Sequence, residues 1–91
     1  MKRLRVVFKL IEEVLASKGR IKILRLLLQE KELNISRIGR EVKLPYKSVN
    51  QHLKILKKAN LIEEEKIGRI RIFRVKEENR KCKILRELFK N

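Results

Sequence analysis

Seven side chains between residues 46 and 57 have the types and spacing to do chemistry on a partner: Tyr46, Lys47, Ser48, Asn50, Gln51, Lys54 and Lys57. Hydroxyls and amides donate and accept hydrogen bonds, and ammonium groups neutralise phosphates, so the set suits base edges and a sugar-phosphate backbone. At 3.6 residues per turn, Val49, Leu53 and Leu56 fall on the opposite side. The polar set is therefore expected on the free face of a half-buried helix spanning 46–59, with Lys58 extending it.

Other reactive groups lead nowhere comparable. His52 is the only histidine, and its helical neighbours three and four residues away are Ser48, Val49, Ile55 and Leu56, which offer neither a metal set nor a nucleophile. A phosphate contact or a packed helix-edge position suits it better. Cys82 lies between Lys81 and Lys83. Flanking cations could lower its pKa and make it a redox sensor, but an inert thiol near a subunit interface is the preferred expectation. There is no Asp, no Gly-rich phosphate loop, and carboxylate pairs such as Glu12-Glu13 sit on helices with no sign of a cleft. No enzyme and no cofactor are expected.

The polar helix needs elements to hold it. Just before it, Ile38 and Val42 lie four apart while Arg37, Arg40, Glu41 and Lys43 point elsewhere, and Ser36 is a suitable N-cap. Lys43-Leu44-Pro45 breaks that helix, and Pro45 fits the first position of the next. Two short amphipathic helices around a breaker make a helix-turn-helix, a motif that sets its second helix in the major groove. Upstream, residues 4–16 read as one strongly apolar helix. Ser17 caps another, about 18–30, whose stripe is Ile21, Leu24, Leu27 and Leu28, and Glu32 to Ile35 is a connector or a stub of strand.

Downstream, Asn60 is a good helix stop, and Leu61 to Ile72 reads as a β-hairpin turning at Gly68. On its return strand Arg69 and Arg71 alternate with Ile70 and share a face with Phe73 and Val75, whereas Arg74 sits with Ile70 and Ile72. Arg69 at the tip is the first choice for a DNA contact and Arg71 the second. Glu63 to Glu65 are expected to face away from DNA. From Glu77 a last helix carries Ile84, Leu85, Leu88 and Phe89 on one face, with Glu77 and Glu78 at the positive end of its dipole.

The fold class expected is mainly α with a small β-hairpin, a winged helix-turn-helix with extra N- and C-terminal helices. Ninety-one residues make a single domain, 1–91, too small to bury much surface alone. Val7, Leu10, Ile11 and Val14 in the 1–16 segment, with Ile84, Leu85 and Leu88 in 77–91, supply excess apolar surface and are expected to form a homodimer interface. Lys and Arg number 26 against 11 acidic residues, a net charge of +15, so an anionic partner is expected, nucleic acid ahead of membrane. No apolar run reaches membrane-span length and the N-terminus lacks a signal-peptide cleavage pattern, so a cytoplasmic location is expected. The missing Asp and abundant Ile, Lys, Arg and Glu match a hyperthermophile bias, and an archaeal source is expected.

Three segments resemble the ArsR-type winged-helix transcription regulators: SKGRIKILRLL (17–27), KLPYKSVNQHLKILKKANLI (43–62) and GRIRIFRV (68–75). The resemblance covers the helix-turn-helix, the recognition helix and the wing. It implies that Tyr46, Lys47, Ser48, Asn50 and Gln51 contact bases and phosphates, with Arg69 at the wing tip. Metal-sensing members carry a Cys-x-Cys pair where this chain has Asn34 and Ser36, and an acidic and histidine pair where the last helix offers only Cys82 and Glu87. No metal is expected. Lys43 stands where the family's turn usually has Gly, which at positive φ costs about 1 kcal/mol that a paired DNA phosphate would offset.

The function expected is a sequence-specific regulator of transcription that binds double-stranded DNA as a homodimer, a repressor, with helix 46–59 in the major groove and wing 66–71 on DNA. Arg37, Arg40, Lys54 and Lys57 would position the backbone. The alternatives are a nonspecific chromatin-like DNA coater, against which Ser48, Asn50 and Gln51 speak, and an RNA-binding winged helix, for which only Phe8, Tyr46, Phe73 and Phe89 could stack on bases.

Overall fold

In the computed structural model, which describes residues 2–90 and only the backbone of Lys2, Arg3, Val6 and Val7, the chain runs α1 (Lys2–Leu10), a π-helical turn (Ile11–Leu15), α2 (Lys18–Glu30) and β1 (Glu32–Asn34). It continues as α3 (Ile35–Val42), α4 (Tyr46–Lys58), β2 (Ile62–Ile67), β3 (Ile70–Val75) and α5 (Arg80–Leu88). The single helix expected over 4–16 is divided at Leu10, where the backbone widens into the π turn. Ser17 caps α2, its side chain accepting from Arg20 N at 3.3 Å. The buried stripe of α2 is Ile23, Leu24, Leu27 and Leu28, with Ile21 only partly covered, because the helix meets α3, α4, the π turn and the sheet and its inner face is correspondingly broad.

The cap of α3 is a correction. Asn34, one residue before the helix, accepts from Arg37 N at 2.8 Å, while Ser36 lies inside the first turn and is exposed. The connector before it is a strand, β1, which pairs antiparallel with β3 (Leu33 opposite Phe73) and makes the sheet three-stranded in the order β1-β3-β2. Between the motif helices Lys43 adopts the left-handed conformation (φ 57, ψ 45) and its N–H returns to Gly39 O. Pro45 is the N-cap of α4, not its first residue. Asn60, at φ 64, ends α4 as expected. Gly68, at φ 62, makes the hairpin turn. The last helix begins at Arg80 with Asn79 as its cap, so Glu77 and Glu78 precede it and Glu77 instead pairs with Arg86 at 3.0 Å.

The helices close over one face of the sheet. Val14, Ile23, Leu24, Leu27, Ile38, Val49, Leu53 and Leu56 meet Leu61, Ile62, Phe73 and Leu85 in a core from which water is excluded. Gly19 lets α2 and α4 approach closely: a Cβ there would lie 2.8 Å from His52 Nε2 and 3.2 Å from Leu44 Cδ1. Among the described residues, no helix is long and apolar enough to cross a membrane. The result is a winged helix-turn-helix with an added helix at each end.

Candidate nucleic-acid interface

Helix α4 buries Val49, Leu53 and Leu56 and turns Tyr46, Lys47, Gln51, Lys54 and Lys57 to solvent, with Ser48 and Asn50 partly covered. The division follows from helical period alone, since the three apolar residues fill the seam against α2 and α3. Arg37 and Arg40 are exposed on α3, where Arg37 faces Glu41 at 3.8 Å. Arg69 is exposed at the hairpin turn. Among the described residues, Arg40, Lys47, Lys54 and Arg69 take part in no ion pair.

The hairpin is where the expected site changes. Its register sets Ile62 opposite Val75, Glu64 opposite Phe73 and Lys66 opposite Arg71, and these pairs share the face that turns toward α4. Near its base that face is apolar and buried in the core. Farther out it becomes charged, because the hairpin extends beyond the core and lies alongside the start of α4. Glu64 therefore does not point away from the basic face; it sits within it, with its side chain 9% exposed. Glu65 is on the outer face, where it pairs with Arg74 at 3.0 Å and Glu32 adds a second contact to Arg74 at 2.8 Å. Arg74 is thereby held on the side opposite α4.

Around Glu64 four of the expected DNA-contacting residues come together. Arg71 donates from Nε to Glu64 Oε2 at 2.6 Å and from Nη2 to Oε1 at 3.2 Å, and Lys57 donates to Oε1 at 2.9 Å. The remaining arm of Arg71, Nη1, donates to Tyr46 OH at 2.7 Å and Asn50 Oδ1 at 2.9 Å. The guanidinium carbon also stands 5.2 Å from the Phe73 ring centroid. Hydrogen bonding from Arg71 above all, aided by Lys57 and opposed by partial desolvation, holds the Glu64 carboxyl down at about 2. The network ties wing to helix. Sequence reasoning missed Glu64: alternation puts it on the face of Ile62 but does not say how far that face extends beyond the core and toward α4.

The other titratable groups are quieter. His52 packs beside Gly19, and burial together with the charge of Arg20 lowers its pKa. Among the described residues its Nδ1 has no hydrogen-bond partner. Cys82 is buried, with Sγ 3.2 Å from Leu61 O, and burial first, then Glu77, pushes its pKa up to about 11. The flanking lysines do not activate it: the Lys81 ammonium bonds Ala59 O instead. Asn34 Oδ1 is occupied by the helix cap. No three His, Cys, Asp or Glu side chains converge as a metal site among the described residues.

The residues expected at a dimer interface separate into two groups. Leu10, Val14 and Leu85 are buried within one chain, because the N- and C-terminal segments fold back onto the core. Ile11 and Leu88 are exposed, Ile84 is half-buried, and the side chain of Val7 lies outside the described residues. Sequence periodicity did not single out Leu4 and Phe8 for this role, yet both are exposed on α1.

The sequence profile of the family described as bacterial regulatory protein, arsR family, matches residues 17–64, more than half of the chain. No curated protein matches it in sequence. Among solved structures, the transcriptional repressor BigR from Xylella fastidiosa superimposes with a TM-score of 0.85 at 18% identity, over 97% of this chain and 84% of that one. NolR from Sinorhizobium fredii gives 0.77 at 20% identity, over 96% and 84% of the two chains. The transcriptional repressor PagR of Bacillus anthracis gives 0.74 at 26% identity, over 96% and 97%.

Proposed function

The chain belongs to the arsR family of bacterial regulatory proteins, and on that premise we propose that it represses transcription as a homodimer that recognises a specific double-stranded DNA sequence in the cytoplasm. Family membership makes it a DNA-binding transcription regulator and not an enzyme. The finer reading rests on one observation: the solvent face of α4 carries Lys47, Ser48, Asn50, Gln51 and Lys54 directly beside a wing tipped by Arg69. A helix of that chemistry enters the major groove, reading base edges with amides and hydroxyls while lysines hold phosphates. Arg69 reaches the adjacent groove or backbone, and Arg37 and Arg40 steady the second edge. Repression is supported by the transcriptional repressors BigR and PagR, which share the fold. In this reading residues 1–91 act as one domain whose end helices dimerise.

Titration of variants on preferred and random duplex at several salt concentrations tests the proposal. Gln51→Ala is expected to weaken the preferred site by about 1–3 kcal/mol and random DNA little. Lys54→Ala is expected to weaken both alike and reduce the log-log salt slope by about 0.9. Equal loss on both duplexes for Gln51→Ala would favour a nonspecific DNA coater.

A further inference from the structure

We propose that Glu64 and Arg71 decide which hydrogen-bonding groups α4 presents to DNA, making its leading edge a surface of donors. The inference rests on the reading of α4 as the DNA-reading helix. Arg71 has five N–H donors and no acceptor. Whatever faces it on α4 must therefore accept, so Asn50 turns Oδ1 inward at 2.9 Å, and Tyr46 accepts through its hydroxyl oxygen at 2.7 Å. The Asn50 amide N–H groups and the Tyr46 hydroxyl proton are left for the outward side. Both residues change character as a result.

The consequence for recognition follows from base chemistry. An asparagine that reads adenine bidentately needs its oxygen for the N6 amino group and its nitrogen for N7. With the oxygen turned inward and one of its two lone pairs taken by Arg71, that pairing is disfavoured, and the free N–H groups suit an edge with two acceptors, the N7 and O6 of guanine. Glu64 makes the arrangement rigid. Its two oxygens fix the Arg71 fork through Nε and Nη2, which aims Nη1 at Tyr46 and Asn50. It also engages Lys57 at 2.9 Å, so two cations that would neutralise DNA phosphates are committed to one carboxylate. A carboxylate in a basic interface also lowers affinity for every duplex alike; discrimination comes from the Arg71 fork it fixes, not from that uniform penalty.

Selection of bound duplexes from a random pool by the intact chain, followed by titration on selected and random duplexes, tests this. The variants are Asn50→Ala, Arg71→Met and Glu64→Gln. Loss of base preference in Asn50→Ala identifies the position beneath Asn50, where wild type should favour guanine. Arg71→Met, which keeps an unbranched chain over Phe73 but returns the Asn50 oxygen to the groove, should shift that position toward adenine by about tenfold. Glu64→Gln should bind random duplex more tightly, with a salt slope steeper by about 0.9 for each cation released, and discriminate less. Loss of a merely structural brace would weaken binding everywhere and could not raise it.

Unchanged preference in Arg71→Met, with wild type still selecting a sequence, overturns this inference and leaves sequence-specific recognition intact. Selection of no sequence by wild type overturns both. If Arg71→Met does not fold, Glu64→Gln decides: unchanged or weaker binding to random duplex overturns the proposal.

Discussion

At the scale of single residues, Glu64 is the carboxylate that ties the wing to α4. Its carboxyl ionises near 2 in the folded chain against an ordinary value of 4.5, because Arg71 and Lys57 hydrogen-bond the charged form. A depressed folded pKa contributes stability that is fully present above 4.5 and is lost as pH falls through about 2. Glu64→Gln is therefore expected to lower stability by about 1 kcal/mol at neutral pH and to flatten the acid branch of the stability curve. Melting temperatures of both proteins from about pH 6 to about pH 2 check this, and parallel curves would show that the ion pair contributes nothing. Cys82 stands at the opposite extreme: its neutral thiol is what the core accommodates, which removes the nucleophile that a redox sensor needs.

At the scale of elements, the start of α3 joins sheet and helix within a few residues. Asn34 ends β1 opposite Ile72 and at once caps α3 through Arg37 N. Asn34→Ala is expected to cost about 1 kcal/mol, which in a domain of this size lowers the melting temperature by about 4–8 °C. Ser36→Ala, inside the first turn and exposed, should shift it by less than about 0.5 kcal/mol. Thermal melts of the two variants side by side decide which residue is the cap. The turn that follows holds Lys43 in a left-handed conformation without glycine's freedom. The side chain at that turn remains exposed beside the start of α4.

Across the whole molecule, the end helices combine two roles that a hydrophobic pattern does not separate. Leu85 is fully buried, whereas Leu88, one turn on, is 62% exposed, and Phe8 on α1 is 59% exposed. Apolar side chains of that size on the surface of a small domain suit the proposed partner subunit. Leu85→Ala is expected to destabilise the fold itself by about 2–5 kcal/mol. Leu88→Glu is expected to leave each chain folded, dissociate the dimer and weaken DNA binding with it. Sedimentation combined with circular dichroism separates the two outcomes, and a wild-type chain that sediments as a folded monomer at micromolar concentration would sink the dimer.

Much was legible from the chain alone because helical and strand periods are local properties. The breaker at Lys43-Leu44-Pro45, the buried row Val49, Leu53 and Leu56, the stop at Asn60 and the turn at Gly68 each depend on residues within a few positions, and each is where the sequence put it. Local pattern also identified the polar face of α4. It could not say how far the hairpin outruns the core, and so could not tell that its inner face turns from apolar to charged between Ile62 and Glu64. Nor could it tell that Leu85 faces inward and Leu88 outward, since both belong to one apolar stripe. The placement of Glu64 depends on contacts between residues 7 to 25 positions apart, Glu64 with Lys57 and Arg71, and Arg71 with Tyr46 and Asn50. Only the packing of wing against helix brings those groups together, and that packing fixes which charges and which acceptors remain free.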